Sequence, residues 1–176
     1  FEDQVAQKRC GHRPNKSLVT CDEMVARVRQ AVAGRADDEC FLIARTDAIA
    51  NEGLAAAISR AQAYVAAGAD GIFAEAITAE EDYATFCREV SVPVLANMTE
   101  FGHSPLLTAS QLERLGVAMV LYPLSAFRAM NQAAWDVFCA IREQGTQQSL
   151  LDKMQDRVTL YDFLDYEAQE AQIDRS

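Results

Sequence analysis

The chain has 176 residues, with 16 Lys+Arg against 26 Asp+Glu and a formal charge of −10 at pH 7. That balance argues against a nucleic-acid or anionic-membrane surface, either of which needs concentrated positive charge. Half of the residues are hydrophobic and 24% are charged, which excludes a disordered chain and suits one globular domain with a sizeable core.

No apolar run approaches the roughly 18 residues of a membrane span and no signal-peptide pattern is visible, so no membrane partner is expected. The five cysteines, at 10, 21, 40, 87 and 139, are odd in number and contain no CxxC pair. A disulfide framework or zinc knuckle is therefore disfavoured, and a reducing compartment, the cytoplasm, is expected.

In chain order, Phe1-Glu2-Asp3 reads as the end of a buried strand whose beginning lies upstream. Next comes KRCGHRPNK, residues 8–16, in which five of nine residues are basic if His12 is counted and one is a cysteine. From about residue 40 a unit recurs: a short apolar run, a polar residue at its end, then an amphipathic helix. The runs are CFLIARTD (40–47), GIFAEA (71–76), VPVLANM (92–98) and VAMVLYPL (117–124). Short, near-continuous apolar runs are what a parallel sheet covered on both faces requires.

Leu54, Ile58, Ala61 and Val65 fall on one helical face, and Ala67-Gly68-Ala69 closes that helix with a glycine at the C-cap. Leu115-Gly116-Val117 repeats the device, and Thr108 can cap the preceding short helix. A long helix over about 125–143 and an acidic helical tail over about 147–172 end the chain.

Strands alternating with helices imply βαβ units. Polar residues stand at the strand C-termini: Arg45 and Asp47, Glu75, Asn97 and Tyr122. The steps from Arg45 to Glu75, Asn97 and Tyr122 are 30, 22 and 25 residues, one βα unit each. These are the positions at which a (β/α)8 barrel builds its active site, and a whole barrel takes about 250 residues. The fold class expected is α/β: the C-terminal half of a (β/α)8 TIM-type barrel over 1–124, followed by a helical segment over 125–176. An open Rossmann-like sheet is the alternative, but no GxGxxG follows any strand.

Basic neighbours favour the Cys10 thiolate, or poise the thiol to exchange protons; an incidental cysteine on a basic surface loop fits the composition as well. A zinc site at Cys10 and His12 lacks companion ligands. Arg45 leaves a strand interior, so it faces either a substrate carboxylate or an internal partner such as Asp47 or Glu75. Arg128, in the first turn of the long helix, sits where a cation is disfavoured unless an anion binds.

KRCGHRPNK closely resembles the signature loop of the 2-methylisocitrate lyase family, within the isocitrate lyase / phosphoenolpyruvate mutase superfamily. The resemblance continues through EMVARVRQAV, ARTDA, EGLAAAISRAQAYVAAGAD, EAIT, PVLANMTEFG, LYPLSAFRAMNQAA and LDKMQDR. Lys-Arg-Cys-Gly-His alone is shared with isocitrate lyases, while the RPNK, TEFG and LYPLSAFRAMN segments point to the 2-methylisocitrate branch.

The resemblance implies a Mg²⁺-dependent (Mn²⁺-tolerant) lyase that splits a small tricarboxylate, 2-methylisocitrate, into pyruvate and succinate in propionate breakdown. It also implies a homotetramer that swaps a helix between subunits. By the same resemblance Cys10, on a lid loop over 8–16, is the general acid, with Gly11 contacting substrate and His12 orienting the loop or binding a carboxylate. Arg45, Arg128 and Arg157 hold substrate carboxylates; Glu75, Asn97 and Thr99 complete the pocket. Glu2 sits near the metal through a bound water, and the direct metal ligands are expected upstream of Phe1, on the first half of the barrel. Alternatives within the superfamily are an isocitrate lyase or an oxaloacetate-type 2-oxo-acid enzyme, and outside catalysis a silent half-barrel acting only in association.

Overall fold

The computed structural model describes residues 1–10, 15–37 and 39–173. They divide into two compact units, Phe1–Ser125 and Ala126–Ser176.

The first unit is built on four parallel strands, β1 (Ile43–Thr46), β2 (Gly71–Ala74), β3 (Val94–Asn97) and β4 (Met119–Leu121), in the order β1-β2-β3-β4. All four lie within the apolar runs, each shorter than its run because the flanking residues turn into loops. The register aligns Arg45 with Phe73, Phe73 with Leu95, Leu95 with Met119, and Asn97 with Leu121. The N-terminal stub lies parallel to β1 on its free side. Arg45 N–H donates to Phe1 O at 2.8 Å, and Asp3 N–H donates to Arg45 O at 3.2 Å. One edge of the sheet is thus covered by a short segment that continues its pattern.

Helices α1 (Cys21–Gly34), α2 (Ile49–Glu52), α3 (Leu54–Ala66), α4 (Glu80–Glu89) and α5 (Ala109–Arg114) alternate with the strands. Thr20 caps α1, and Thr108 forms a capping box with Gln111 at α5, satisfying backbone donors that a first helical turn leaves open. Alternate strand residues Ala44, Thr46, Ile72, Ala74, Val94 and Ala96 are buried. They belong to a core with Met24 and Val28 of α1, Tyr83 and Phe86 of α4, and Leu112 of α5. Ile43, Arg45, Phe73 and Leu95 occupy the opposite face and line an open groove. The architecture is the C-terminal half of a (β/α)8 barrel, its helices on the outside and its lumen face open.

α3 differs from the periodicity expectation. Its buried residues are Ala57, Ala61 and Tyr64, whereas Leu54, Ile58 and Val65 are only partly buried. Small side chains at 57 and 61 let the helix approach the sheet closely, and Tyr64 turns inward because its hydroxyl has a buried acceptor in Asp3 (2.9 Å). The larger aliphatics pack at the flanks.

Gly68 ends α3 at φ +107°, and a Cβ there would lie 2.9 Å from Val32 Cγ2. Gly68→Ala is therefore expected to destabilise by about 1–3 kcal/mol through backbone strain plus that clash. Denaturant unfolding checks this, and an unchanged midpoint would contradict it.

In the second unit, α6 runs Ser125–Gln144, starting in the first unit's last residue, and ends at Gly145 (φ +71°). The tail is not one helix. It comprises a 3-10 turn (Gln148–Lys153), α7 (Arg157–Phe163) and α8 (Tyr166–Ile173). The breaks have local causes. Asp156 accepts from Thr159 N–H at 2.7 Å and starts a new helix, while Asp165 adopts φ +50° between α7 and α8. Short polar side chains offer the backbone these alternatives to a continuing helix. Tyr161 and Tyr166 stack across that last break at 4.4 Å between centroids.

Candidate active site

Asp3 fixes the stub. It is fully buried and accepts from Thr46 Oγ1 (2.7 Å), Asp47 N–H (2.9 Å) and Tyr64 OH (2.9 Å), with Arg60 Nη1 at 3.9 Å. Three donors on one carboxylate meet the requirement that a buried charge be paired and hydrogen-bonded. Because successive strand residues alternate faces, anchoring Asp3 on the helix side places its neighbour Glu2 beside Arg45 on the groove side.

Arg45 is the centre of the cluster. Its Nε and Nη2 donate to Asp47 Oδ2 and Oδ1 at 2.9 and 3.0 Å, a bidentate pair. Nη1 lies 3.4 Å from Glu75 Oε2, and Nε lies 3.3 Å from Glu2 Oε2. The guanidinium also sits 4.7 Å above the Phe73 ring, an attractive electrostatic contact. Asn97 Nδ2 donates to Glu75 Oε2 at 3.3 Å, joining the ends of β2 and β3. Lys16 Nζ pairs with Asp47 Oδ1 at 3.2 Å, both side chains buried, and Lys8 pairs with Glu2 at 2.9 Å. Among the described residues, Asp47, Glu75 and Glu2 are thus faced by Arg45, Lys16 and Lys8.

Burial alone would raise the Asp47 carboxyl. The Arg45 hydrogen bonds together with the Arg45 and Lys16 charges outweigh it and hold the group below its ordinary value. Burial would likewise lower Arg45, and the Asp47 bond with the Glu75 and Glu2 charges raises it instead. Both groups are therefore ionised at neutral pH.

The sequence-predicted residues Glu2, Arg45, Glu75 and Asn97 come together here. Thr99 is buried just beyond β3, and Glu100 in the same segment accepts a hydrogen bond from Ser125. Cys10 is exposed at the end of the Lys8-Arg9-Cys10 segment. Gly11 and His12 lie outside the described residues. Arg128, in α6, and Arg157, the first residue of α7, belong to the second unit and are exposed there. Arg157 lines a cavity of about 470 Å³ with Tyr161, Asp162 and Tyr166.

Sequence reading placed Asp47 among the strand-end residues and as a partner for Arg45, gave it no role of its own, and did not single out Asp3, Gln4 or Lys16. The usable signal for Asp47 was its offset of two from Arg45, which returns to the same strand face. The other three depend on contacts distant in sequence.

A divalent metal needs several oxygen ligands. Among the described residues no group of three His, Cys, Asp or Glu is placed to hold one. The Asp47 carboxylate is occupied by Arg45 and Lys16. Glu2 Oε2 and Asn97 Oδ1 are buried without a hydrogen-bond partner, but two atoms are not a metal centre. These residues do not by themselves fit Mg²⁺.

Parallel βα units and a charged cluster at their strand ends define a (β/α)8-barrel protein with a carboxylate-and-guanidinium site. The chain belongs to the phosphoenolpyruvate phosphomutase family, whose model matches residues 1–142. It is 55% identical over 174 residues to a 2-methylisocitrate lyase of Escherichia coli (strain K12), covering 99% of this chain and 59% of that relative. Among solved structures it is similar to 2,3-dimethylmalate lyase, a PEP mutase/isocitrate lyase superfamily member, with TM-score 0.86 and 32% identity over 98% of this chain and 59% of that one. It is also similar to phosphonopyruvate hydrolase solved with oxalate and Mg²⁺, with TM-score 0.80 and 28% identity over 97% and 59%. The chain thus spans about three-fifths of the length of the relatives it matches.

Proposed function

We propose that the full-length protein is a carbon–carbon lyase that cleaves 2-methylisocitrate to pyruvate and succinate, serving propionate breakdown in the cytoplasm. The observation that carries this reading is the juxtaposition of the Lys8-Arg9-Cys10 segment with the Arg45 cluster: Lys8 reaches Glu2 at 2.9 Å and Glu2 reaches Arg45 at 3.3 Å. The 55% identity to the E. coli lyase supports it.

In the proposed reaction the substrate hydroxyl gives its proton to solvent water, becoming the pyruvate carbonyl as the adjacent C–C bond breaks. Its electron pair stays on the succinate carbon, and the Cys10 Sγ–H protonates that carbon, leaving a thiolate to be reprotonated. Arg45 orients a carboxylate, with Glu75, Asn97 and Thr99 shaping the pocket; Gly11 and His12 complete the Cys10 loop. Because the Arg45 guanidinium already faces Asp47, Glu75 and Glu2, a substrate with three carboxylates calls for further cations. Arg128 and Arg157 are proposed for that role, together with Mg²⁺ held by residues outside this chain and approached by Glu2 through water. Developing negative charge is what such cations stabilise. The phosphonopyruvate hydrolase relative solved with Mg²⁺ supports the metal.

A homo-oligomer, taken as a tetramer with the 125–176 segment exchanged between subunits, is part of the same proposal. The exposed Phe127, Met130, Trp135, Phe138 and Ile141 of α6 support it, since large exposed apolar patches mark interaction surfaces.

The test is a substrate panel on the full-length protein: 2-methylisocitrate, isocitrate and oxaloacetate, each with Mg²⁺ and after chelation. Metal-dependent release of pyruvate and succinate from 2-methylisocitrate, faster than cleavage of isocitrate, is expected. An equal or greater rate with isocitrate overturns the substrate assignment.

A further inference from the structure

The segment bearing Cys10 leaves the sheet through a neck closed by backbone hydrogen bonds. Val5 N–H donates to Ser17 O at 3.0 Å, and Val19 N–H donates to Asp3 O at 2.9 Å. Gln4 stands at this neck, 3% exposed. Both ends of its amide are taken by one residue of the segment: Nε2 donates to Arg9 O at 2.9 Å, and Arg9 N–H donates to Oε1 at 2.9 Å. Its own carbonyl accepts from Arg27 Nη1 at 3.2 Å, which ties the neck to α1. Gln4 is also among the groups that hold the carboxyl of Asp47, the partner of Arg45, below its ordinary value.

A primary amide carries a donor and an acceptor side by side, so it can pair with the N–H and C=O of one residue as a neighbouring strand would. A glutamate presents two acceptors and a methionine no comparable hydrogen-bonding pair. Two bonds to one residue define both its distance and its direction. Lys8, Arg9 and Cys10 are exposed, so little packing holds them, and a segment with few buried contacts opens readily unless tied.

We infer that Gln4 is a positioning residue for Cys10: by clasping the Arg9 backbone from a buried site beside Asp47, it sets where the thiol stands relative to the Arg45 cluster. The inference rests on the lyase reading for its kinetic consequence, since misplacing a reacting group by about 1 Å costs on the order of 100-fold in rate.

The experiment compares wild type, Gln4→Met and Gln4→Glu in the full-length protein. Steady-state kinetics with 2-methylisocitrate are read beside amide hydrogen exchange of the peptides covering residues 8–10 and 71–74. A clasp predicts kcat lowered about 10- to 100-fold with KM within about 3-fold, the pattern of a loss felt after binding. It also predicts faster exchange at Arg9 with the strand peptide unchanged. A general structural role would instead speed exchange in both peptides.

A folded variant with wild-type kcat, or with wild-type exchange at Arg9, overturns the inference. Should wild type leave 2-methylisocitrate uncleaved, it is the lyase reading that falls, and the exchange comparison still decides the clasp. If both Gln4 variants fail to fold, Arg9→Pro removes the N–H half of the clasp at an exposed position, and wild-type kcat there overturns the inference equally.

Discussion

Cys10→Ser in the full-length protein is expected to lower kcat for 2-methylisocitrate by about 100- to 10,000-fold, the range that a positioned general acid contributes. The hydroxyl has nearly the thiol's shape and is a far weaker acid, so it cannot surrender a proton to the succinate carbanion at a comparable rate. KM should change little, because the groups proposed to hold the substrate carboxylates are untouched. The melting temperature should also hold, since Cys10 is exposed and free. A variant retaining more than about a tenth of wild-type kcat would remove the thiol from the proton-transfer step. This is distinct from the Gln4 result: serine at position 10 leaves the Arg9 clasp and its exchange protection in place.

The scaffold of this site was largely legible in the sequence. Each strand is a short apolar run with a polar residue at or just past its end, at Asp47, Glu75, Asn97 and Tyr122. Gly68 and Gly116 marked helix ends because their positive φ values suit no other residue as well. The meeting of Arg45, Glu75 and Asn97 could be anticipated from one rule, that strand C-termini in a parallel barrel converge.

What the sequence withheld is long-range. Asp3 meets Thr46 and Tyr64 across 43 and 61 residues, and Lys16 meets Asp47 across 31; no local pattern encodes such partners. Arg45 shows the same limit. Its placement facing the groove was readable, yet both a substrate carboxylate and an internal carboxylate satisfied the sequence. The structure surrounds it with Asp47, Glu75 and Glu2, so a substrate carboxylate must share a guanidinium that is already engaged. The rotation of α3 arises similarly, from Tyr64 following its hydroxyl to Asp3 rather than from the aliphatic spacing.

Asp47→Ala is expected to carry the largest stability penalty of any single change at the site. Asp47 is fully buried, and it faces two cations, Lys16 at 2% side-chain exposure and Arg45 at 18%. Removing the carboxylate leaves Lys16 buried beside a second cation. Breaking a buried pair in this way costs about 3–5 kcal/mol, because the remaining cations lose the carboxylate they share. Asp47→Ala with Lys16→Met removes the buried ammonium as well and should recover part of the loss, so the double variant is less destabilised than the sum of the singles. Denaturant unfolding of the full-length protein and its variants measures this. Strict additivity would show that the Lys16–Asp47 pair is not coupled.

The pH dependence has a definite sign. Asp47 has its folded-state pKa lowered, so its stabilisation is fully present above the unfolded carboxyl value of about 4 and is lost as pH falls through the folded value below it. Wild type should therefore lose stability on acidification below about pH 4 more steeply than Asp47→Ala. Arg45 then gives the activity consequence. Without its bidentate partner the guanidinium keeps Glu75 and Glu2 as its acidic neighbours among the described residues, so Asp47→Ala should also raise KM for the tricarboxylate. That rise distinguishes it from Cys10→Ser, whose effect falls on kcat.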